Sequence, residues 1–142
     1  MNQICSDNFQ YQNVDYTIYT DGALIQNNGH VGWVIKTKTE RDFLEGRTII
    51  NYKKTSVLEI SAIVIALQEL NNKNCDVLIQ TDFKGVITEF NNENKINIKL
   101  KKELHKFNSW CIEKTKRDNI HRPHNLCSSL NQNHYIPNIN FS

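Results

Sequence analysis

The segment at residues 57–70 constrains the fold of this chain more than any other stretch. Its sequence, VLEISAIVIALQEL, has the length of a helix and is apolar on almost every side. Such a helix is buried on most of its sides, because water would otherwise meet apolar surface all around it. Asn71 and Asn72 end the pattern. We therefore predict one long helix buried in the domain.

Three β-strands are predicted before this helix. Tyr, Thr and Ile alternate at residues 14–21, a pattern that suits a pleated sheet, and an Asp-Gly pair ends the run. The sequence Asn-Asn-Gly at residues 27–29 can adopt the positive backbone angles of a tight turn, and a second strand follows at residues 31–36. A third strand is predicted within residues 42–53, which contain Phe-Leu at residues 43–44 and Thr-Ile-Ile-Asn-Tyr at residues 48–52, and it should pair with the second strand. The short connections indicate antiparallel pairing.

After the buried helix, residues 75–82 repeat the opening pattern, in which apolar β-formers run into Thr-Asp. A helix between two such strands is typical of a crossover connection with parallel pairing. Residues 84–90 are predicted as a short helix, and residues 110–113 as a last strand. Residues 98–107 are predicted as an amphipathic helix whose apolar side carries Ile98, Leu100, Leu104 and Phe107. The predicted fold is α/β, with a mixed five-stranded sheet, three antiparallel strands first, and helices packed on it.

The length of 142 residues suits one domain. Residues 14–131 are predicted to form it, between a flexible N-terminal arm at residues 1–13 and a flexible C-terminal tail at residues 132–142. Hydrophobic residues make up 39% and charged residues 23% of the chain, and the net charge is +2. This balance indicates neither a disordered chain nor bulk attraction to a polyanion, so nucleic-acid binding needs a local patch.

The cysteines and the N-terminal sequence bear on localisation. Cys5, Cys75, Cys111 and Cys127 lie far apart, and no two of them have the spacing of a structural zinc site. Free thiols in a reducing compartment are therefore predicted. The first residues lack the basic and apolar regions of a signal peptide, and no run of about 18 apolar residues occurs. We expect a soluble, monomeric, cytoplasmic protein with no membrane partner.

Three carboxylates lie where such a fold would bring them together. Asp21 ends the first strand, Asp82 ends the strand after the buried helix, and Glu59 lies near the start of that helix. If the two strands are adjacent and parallel, both aspartates emerge at one sheet edge, where ligands collect in α/β sheets. Three carboxylates in a partly buried site repel each other, and a cation relieves that repulsion. The pattern predicts a site for a hard divalent metal ion.

Each carboxylate also has a structural alternative. Asp21 can form a turn with backbone amides. Glu59 stands three residues after Ser56, the spacing of a capping box at a helix start. Asp82 can cap the helix that follows it. Capping explains each acid separately, but it does not explain why two strands both end in Thr-Asp.

The order and spacing of these motifs resemble the type 1 ribonuclease H family. Tyr-Thr-Asp-Gly-Ala at residues 19–23, Leu-Glu-Ile-Ser-Ala at residues 58–62 and Ile-Gln-Thr-Asp at residues 79–82 carry the resemblance. It extends from about residue 16 to residue 91. The family fold would be a mixed five-stranded sheet led by three antiparallel strands, which is the order of elements that the sequence pattern predicts.

The resemblance also implies an activity. Enzymes of this family hold two magnesium or manganese ions about 4 Å apart and clamp the scissile phosphate between them. Asp21 would bridge both ions, and Glu59 and Asp82 would complete their shells. The substrate would be the RNA strand of an RNA–DNA hybrid duplex, recognised through its 2′-hydroxyls in the minor groove. The products would carry 5′-phosphates.

The C-terminal third departs from the family pattern Asn-x-x-Ala-Asp-x-Leu, which supplies a fourth carboxylate after a histidine-containing loop. The nearest stretch, HRPHNLCSSL at residues 121–130, is one residue shorter and has Ser128 or Ser129 where the aspartate is expected. The hydroxyl of Ser128 could hold a water in a metal shell but supplies no charge, which implies weaker metal binding. Asp118 or Glu113 could substitute, although neither lies in the matching place.

The resemblance assigns further residues to catalysis and to substrate. His121 or His124 would assist proton transfer or product release, and the alternative for both is an exposed loop histidine. The residues assigned to substrate contact in the first half of the chain are Gly22, Ala23, Asn27, Thr55 and Ser56. Three of these residues differ from the family pattern. Serine is common in the family at the position of Ala23, and asparagines that touch the RNA are common at the positions of Thr55 and Ser56.

Four lysines form one stripe on the amphipathic helix near the C-terminal third. Lys95, Lys99, Lys102 and Lys106 follow at spacings of four, three and four residues, opposite the apolar side of the helix. Such a stripe can neutralise the phosphates of a nucleic acid and makes binding depend on salt. The alternative is an ordinary solvated helix face.

Three functions compete on this sequence. The first is an active, metal-dependent endoribonuclease that cuts RNA in RNA–DNA hybrids, and three intact acids favour it. The second is a catalytically weakened nucleic-acid-binding module of the same fold, which the missing fourth acid favours. A third, a structural domain without nucleic acid, requires the lysine stripe and the carboxylates to be coincidental.

Overall fold

The computed structural model describes residues 2–116 of the chain. Within this stretch a mixed six-stranded sheet carries three α-helices. The elements are β1 Gln3–Cys5, β2 Tyr16–Ile25, β3 Asn28–Thr37, β4 Asp42–Ile50, α1 Thr55–Glu69, β5 Asp76–Thr81, α2 Gly85–Thr88, α3 Lys95–Leu104 and β6 Ser109–Lys114, with a 3-10 turn at Tyr11–Asn13. The predicted residues His121, His124 and Ser128, the predicted domain end at residue 131 and the C-terminal tail lie outside the described residues.

The strand order in the sheet is β1-β6-β5-β2-β3-β4. β2, β3 and β4 form an antiparallel meander, β5 runs parallel to β2, and β6 runs parallel to β5. The predicted mixed sheet, with its antiparallel strands first and a helical crossover into a parallel pair, is confirmed. The sheet has six strands rather than the predicted five.

The additional strand lies in the segment that was predicted as an arm. β1 pairs antiparallel with β6, with Gln3 opposite Glu113 and Cys5 opposite Cys111. The hydroxyl of Tyr11 lies 2.6 Å from Glu113 Oε2 and so ties the following turn to the same strand. Three residues are too few to show an alternating pattern, and their partner is about a hundred positions away. The flexibility of residues 1–13 stays a prediction.

α1 lies at the centre of the core, as predicted from its sequence. Every residue from 58 to 67 is buried, including the polar Glu59 and Ser61. The helix packs on β2 and β3 on one side and on α3 on another. Burying each large aliphatic side chain contributes about 1.5–3 kcal/mol, so α1 supplies much of the folding free energy.

The hairpin between β2 and β3 turns one residue earlier than predicted. Gln26 and Asn27 have φ angles of 50° and 66°, and β3 begins at Asn28. Positive φ at both central residues is the geometry of a two-residue turn that matches the twist of a hairpin. Gly29 is required for a different reason, because a Cβ there would collide with the carbonyl oxygens of Tyr52 and Ile50.

Two of the cysteines form a disulfide, so the prediction of free thiols was wrong for them. Cys5 and Cys111 face each other across β1 and β6 and are bonded. Cys75 is free and buried, and burial raises the pKa of its thiol to about 11. The sequence could not reveal the pair, because 106 positions separate its members. No helix in residues 2–116 is long and apolar enough to span a membrane.

Candidate metal centre

The structure brings Asp21, Glu59 and Asp82 into one cluster, as the sequence predicted. One carboxylate oxygen from each residue lies within 4.8 Å of the others. Asp21 and Glu59 are buried, with 3% and 5% of their surfaces exposed, and Asp82 is half-buried. Among residues 2–116, no other group of three acidic, histidine or cysteine side chains comes together in this way.

The sheet explains why the two aspartates meet. The parallel pairing of β2 with β5 ends at Tyr19 opposite Gln80, whereas β2 continues beside β3 to Ile25. A gap therefore opens beside β2 beyond this last pair. Asp21 and Asp82 each follow the last pair by two residues, and neighbouring strands lie only about 4.8 Å apart, so both carboxylates flank the gap.

Glu59 reaches the same gap from α1. The backbone N–H of Gly22 donates to Glu59 Oε1 at 2.8 Å. A Cβ on residue 22 would lie 2.5 Å from the carbonyl carbon and oxygen of Leu58 and 2.7 Å from the nitrogen of Glu59. Only a glycine lets β2 approach the backbone of α1 closely enough for this hydrogen bond to form.

The structure does not contain the capping arrangements that were the alternatives for Glu59 and Asp82. The N-cap of α1 is Lys54, which makes no side-chain cap hydrogen bond, and Ser56 lies inside the first turn. The carboxylate of Glu59 therefore turns to Gly22 rather than back to the helix start. The N-cap of α2 is Lys84, not Asp82.

Crowding of the acids has an electrostatic consequence. Burial and the neighbouring charges of Asp21 and Asp82 raise the pKa of Glu59 to about 9, and the N–H of Gly22 opposes this shift only in part. Without a cation, Glu59 therefore holds a proton at neutral pH. A divalent ion can take the place of that proton, and an all-oxygen donor set suits Mg²⁺ or Mn²⁺. The residues present thus fit such an ion.

The residues predicted to contact substrate lie at different distances from this cluster. Gly22 and Ala23 follow Asp21 directly in β2, and Thr55 and Ser56 lie one turn of α1 before Glu59. Asn27 is at the hairpin turn. Four strand residues, 22–25, and Gln26 of the turn separate it from Asp21, and the strand part alone spans about 13 Å, so the structure does not bring Asn27 to the carboxylates.

The lysine stripe is present on α3, and its members differ. Lys95 and Lys102 are exposed and Lys99 is half-buried. Lys106 follows the helix and forms a 2.8 Å ion pair with Glu103, whose side chain is 2% exposed. The predicted apolar side was wrong at Ile98, which is 55% exposed; Ile96 is buried in its place, together with the predicted Leu100, Leu104 and Phe107.

A cavity that the sequence did not indicate lies apart from the three carboxylates, none of which lines it. It has a volume of about 250 Å³ and lies between the first turns of α1 and α3. Lys54, Ser56 and Lys95 are among its lining residues. No sequence pattern marked it, because its walls come from two helices that are distant in the chain.

Comparison with known proteins gives three findings. Residues 13–132 match the family model described as RNase H. A curated relative, the Ribonuclease H of Neorickettsia sennetsu (strain ATCC VR-367 / Miyayama), is 32% identical over 79 residues. This match covers 51% of each chain, so the chain spans about half the length of that relative.

Solved structures share the fold at low sequence identity. RNase H1 from the halophilic archaeon Halobacterium salinarum NRC-1 superposes with a TM-score of 0.71 at 22% identity, covering 78% of this chain and 92% of that one. LC11-RNase H1 in complex with an RNA/DNA hybrid gives a TM-score of 0.68 at 19% identity, with coverage of 78% and 92%. At these identities the likeness shows the fold alone.

Proposed function

Because the chain belongs to the RNase H family, we propose that it is an endoribonuclease that hydrolyses the RNA strand of RNA–DNA hybrids and leaves 5′-phosphates. The observation that carries the proposal is the meeting of Asp21, Glu59 and Asp82 within 4.8 Å at the open end of β2 and β5. These residues would hold two divalent ions, Mg²⁺ or Mn²⁺, with Asp21 shared between them. When bound, the ions supply an activated water and stabilise charge on the phosphate and on the leaving 3′ oxygen.

The chain's own residues prepare the site for this chemistry. Gly22 N–H fixes the orientation of Glu59 through Oε1 before any cation arrives. The proton on Glu59 must leave when a cation enters, because a carboxylate ligand binds in its ionised form. Cation binding is therefore expected to release a proton near neutral pH.

The cavity between α1 and α3 supports a nucleic acid as the substrate. Lys54 and Lys95 bring two positive charges to it, Glu89 brings one negative charge, and Ser56 brings a hydroxyl. The first turn of α1 lacks a side-chain cap, so its amide groups can face an anion there.

Several predicted roles remain parts of the proposal. Gly22, Ala23, Thr55 and Ser56 would contact the RNA strand, and Asn27 only a more distant part of the duplex. Lys99, Lys102 and Lys106 would contact phosphates. His121 or His124 would assist proton transfer or product release, and Ser128 would hold a water in a metal shell. We also propose that the protein is monomeric and cytoplasmic. In the cytoplasm the Cys5–Cys111 disulfide would be exposed to reducing thiols.

The test is a fluorescent hybrid-cleavage assay of the full chain with Mg²⁺ and with Mn²⁺, beside anisotropy measurements of hybrid binding. Asp21→Asn is expected to lower the cleavage rate by more than about 100-fold, because loss of even an outer partner of a metal ligand costs 10- to 100-fold. The matched control is Asp15→Asn, the same change just before the other end of β2, where the carboxylate accepts the N–H of Asp76. This control should cleave like the parent.

The second candidate function is a nucleic-acid-binding module with weakened catalysis. The serine at the place of the fourth family carboxylate favours it. Hybrid binding without cleavage in either ion would establish this function and refute the enzyme. Ser128→Asp separates the two further, because it should raise activity at low Mg²⁺ only in an active enzyme. Absence of any hybrid binding would refute both.

A further inference from the structure

We propose that Thr81 is a positioning residue for Asp82, an inference that rests on the metal function proposed above. Thr81 is the last residue of β5, and only 1% of its surface is exposed. The pairings of β5 with its two neighbours end at Gln80 and at Thr81. Asp82 follows this end, where the sheet ladder no longer fixes the backbone.

The peptide groups on both sides of the Asp82 Cα are held by hydrogen bonds that involve Thr81. The Thr81 carbonyl belongs to the first group and accepts the N–H of Thr115 at 2.8 Å. The Phe83 N–H belongs to the second group and donates to Thr81 Oγ1 at 3.1 Å. A hydroxyl that accepts an amide two residues onward forms a compact turn. With both peptide planes held, the Cα–Cβ bond of Asp82 keeps its direction toward the cluster.

Thr20 occupies the corresponding place before Asp21, and the comparison isolates the role of the hydroxyl. Asp21 lies inside β2, opposite Gly32, and the ladder with β3 continues to Ile25. The ladder therefore fixes its backbone. The hydroxyl of Thr20 is buried and has no hydrogen-bond partner within the described part of the chain. The repeated Thr-Asp sequence thus needs its hydroxyl only where the ladder has ended.

Thr81→Val removes the hydroxyl and keeps the branched shape of the side chain. Mn²⁺ binding to the substrate-free full chain, measured by EPR of the free ion, is expected to weaken about 10-fold, as for other outer partners of metal ligands. The Mg²⁺ concentration for half-maximal hybrid cleavage should rise by a similar factor. The rate at saturating ion should change much less, because a high ion concentration restores the occupied site.

Two variants serve as controls. Thr81→Ser keeps the hydroxyl and should restore the parent's Mn²⁺ affinity. Thr20→Val makes the identical change at a hydroxyl without a partner, and it should leave Mn²⁺ affinity unchanged while maintaining or raising the melting temperature. A purely structural effect of losing a buried hydroxyl would not distinguish the two threonines in this way.

A double-mutant cycle keeps the proposal falsifiable even if Thr81→Val lowers stability. In an Asp82→Asn background, Thr81→Val should have no further effect on Mn²⁺ affinity, because the residue through which it acts is gone. Additive effects, or a parent and a Thr81→Val variant with equal Mn²⁺ affinity, would overturn the positioning role and leave the metal function intact. A parent that neither binds Mn²⁺ nor cleaves hybrids would overturn the metal function itself, and the positioning role with it.

Discussion

Gly22→Ala is expected to push β2 away from α1 and to remove most of the metal-dependent activity. The added Cβ would lie 2.5 Å from the carbonyl carbon and oxygen of Leu58 and 2.7 Å from the nitrogen of Glu59. These are backbone atoms of a buried helix, so they cannot rotate out of the way as a side chain would. The strand and the helix must separate instead.

The size of the separation follows from these contacts. Ordinary van der Waals contact begins at 3.4 Å, so the two elements must part by 3.4 − 2.5 = 0.9 Å. A shift of this size along the hydrogen bond would lengthen the 2.8 Å between Gly22 N and Glu59 Oε1 to as much as about 3.7 Å, a distance at which the hydrogen bond no longer exists. Overpacking of this kind also costs about 1–3 kcal/mol of stability.

Mn²⁺ affinity, hybrid-cleavage rate and melting temperature should be measured together on Gly22→Ala and on a matched control. The control is Gly46→Ala in β4, two strands away from β2, where the added Cβ would run into the indole ring of Trp33. Both variants should melt at lower temperature, whereas only Gly22→Ala should lose metal affinity and activity. A folded Gly22→Ala protein with the parent's affinity and rate would refute the reasoning that this close approach sets the position of Glu59.

Three further predictions concern charge, the disulfide and salt. The ordinary pKa of Glu59 is 4.5, and its pKa in the fold is about 9. Between these two pH values the folded metal-free protein holds a proton that the unfolded chain has lost. The melting temperature in EDTA should therefore fall as the pH rises from 5 to 9, and Glu59→Gln should flatten this slope. A melting temperature that rises with pH over this range would contradict the raised pKa of Glu59. Reducing the Cys5–Cys111 disulfide, which spans 106 positions, should cost up to about 4–5 kcal/mol in denaturant unfolding, and a Cys5→Ser protein should not respond to reductant. Lys102→Gln should lower the slope of log binding constant against log salt by about one if Lys102 contacts a phosphate, and an unchanged slope would leave it a solvated surface residue.

The parts of the site that the sequence predicted correctly are those that follow from local pattern and one topological rule. The apolar run of α1 required a buried helix, and a helix between two strands required a parallel crossover. Once β2 and β5 were neighbours, Asp21 and Asp82 had to emerge at the same edge. These steps need only residues within one element and the general behaviour of parallel strands.

The sequence could not predict features that depend on contacts between distant residues. β1 has three residues and gains its structure from β6, so nothing in its own sequence distinguishes it from a loop. The disulfide of Cys5 depends on the same pairing. Ile98 was assigned to the buried side of α3 because it is apolar, but the helix turns Ile96 inward and leaves Ile98 exposed. The choice between them is made by the surface of α1.

The three carboxylates are held in place by three different kinds of support, and this bears on how the site tolerates change. A sheet ladder holds the backbone of Asp21, the N–H of Gly22 holds the side chain of Glu59, and the turn at Thr81 holds the backbone of Asp82. Each support acts on one carboxylate; the first two involve β2, and the third lies at the end of β5. The acids repel each other, and each support holds a different acid in place against that repulsion. The loss of one support is therefore not made good by the other two. The high pKa of Glu59 is the cost of this arrangement in the absence of a cation, and under the proposed function a bound cation would relieve the same crowding.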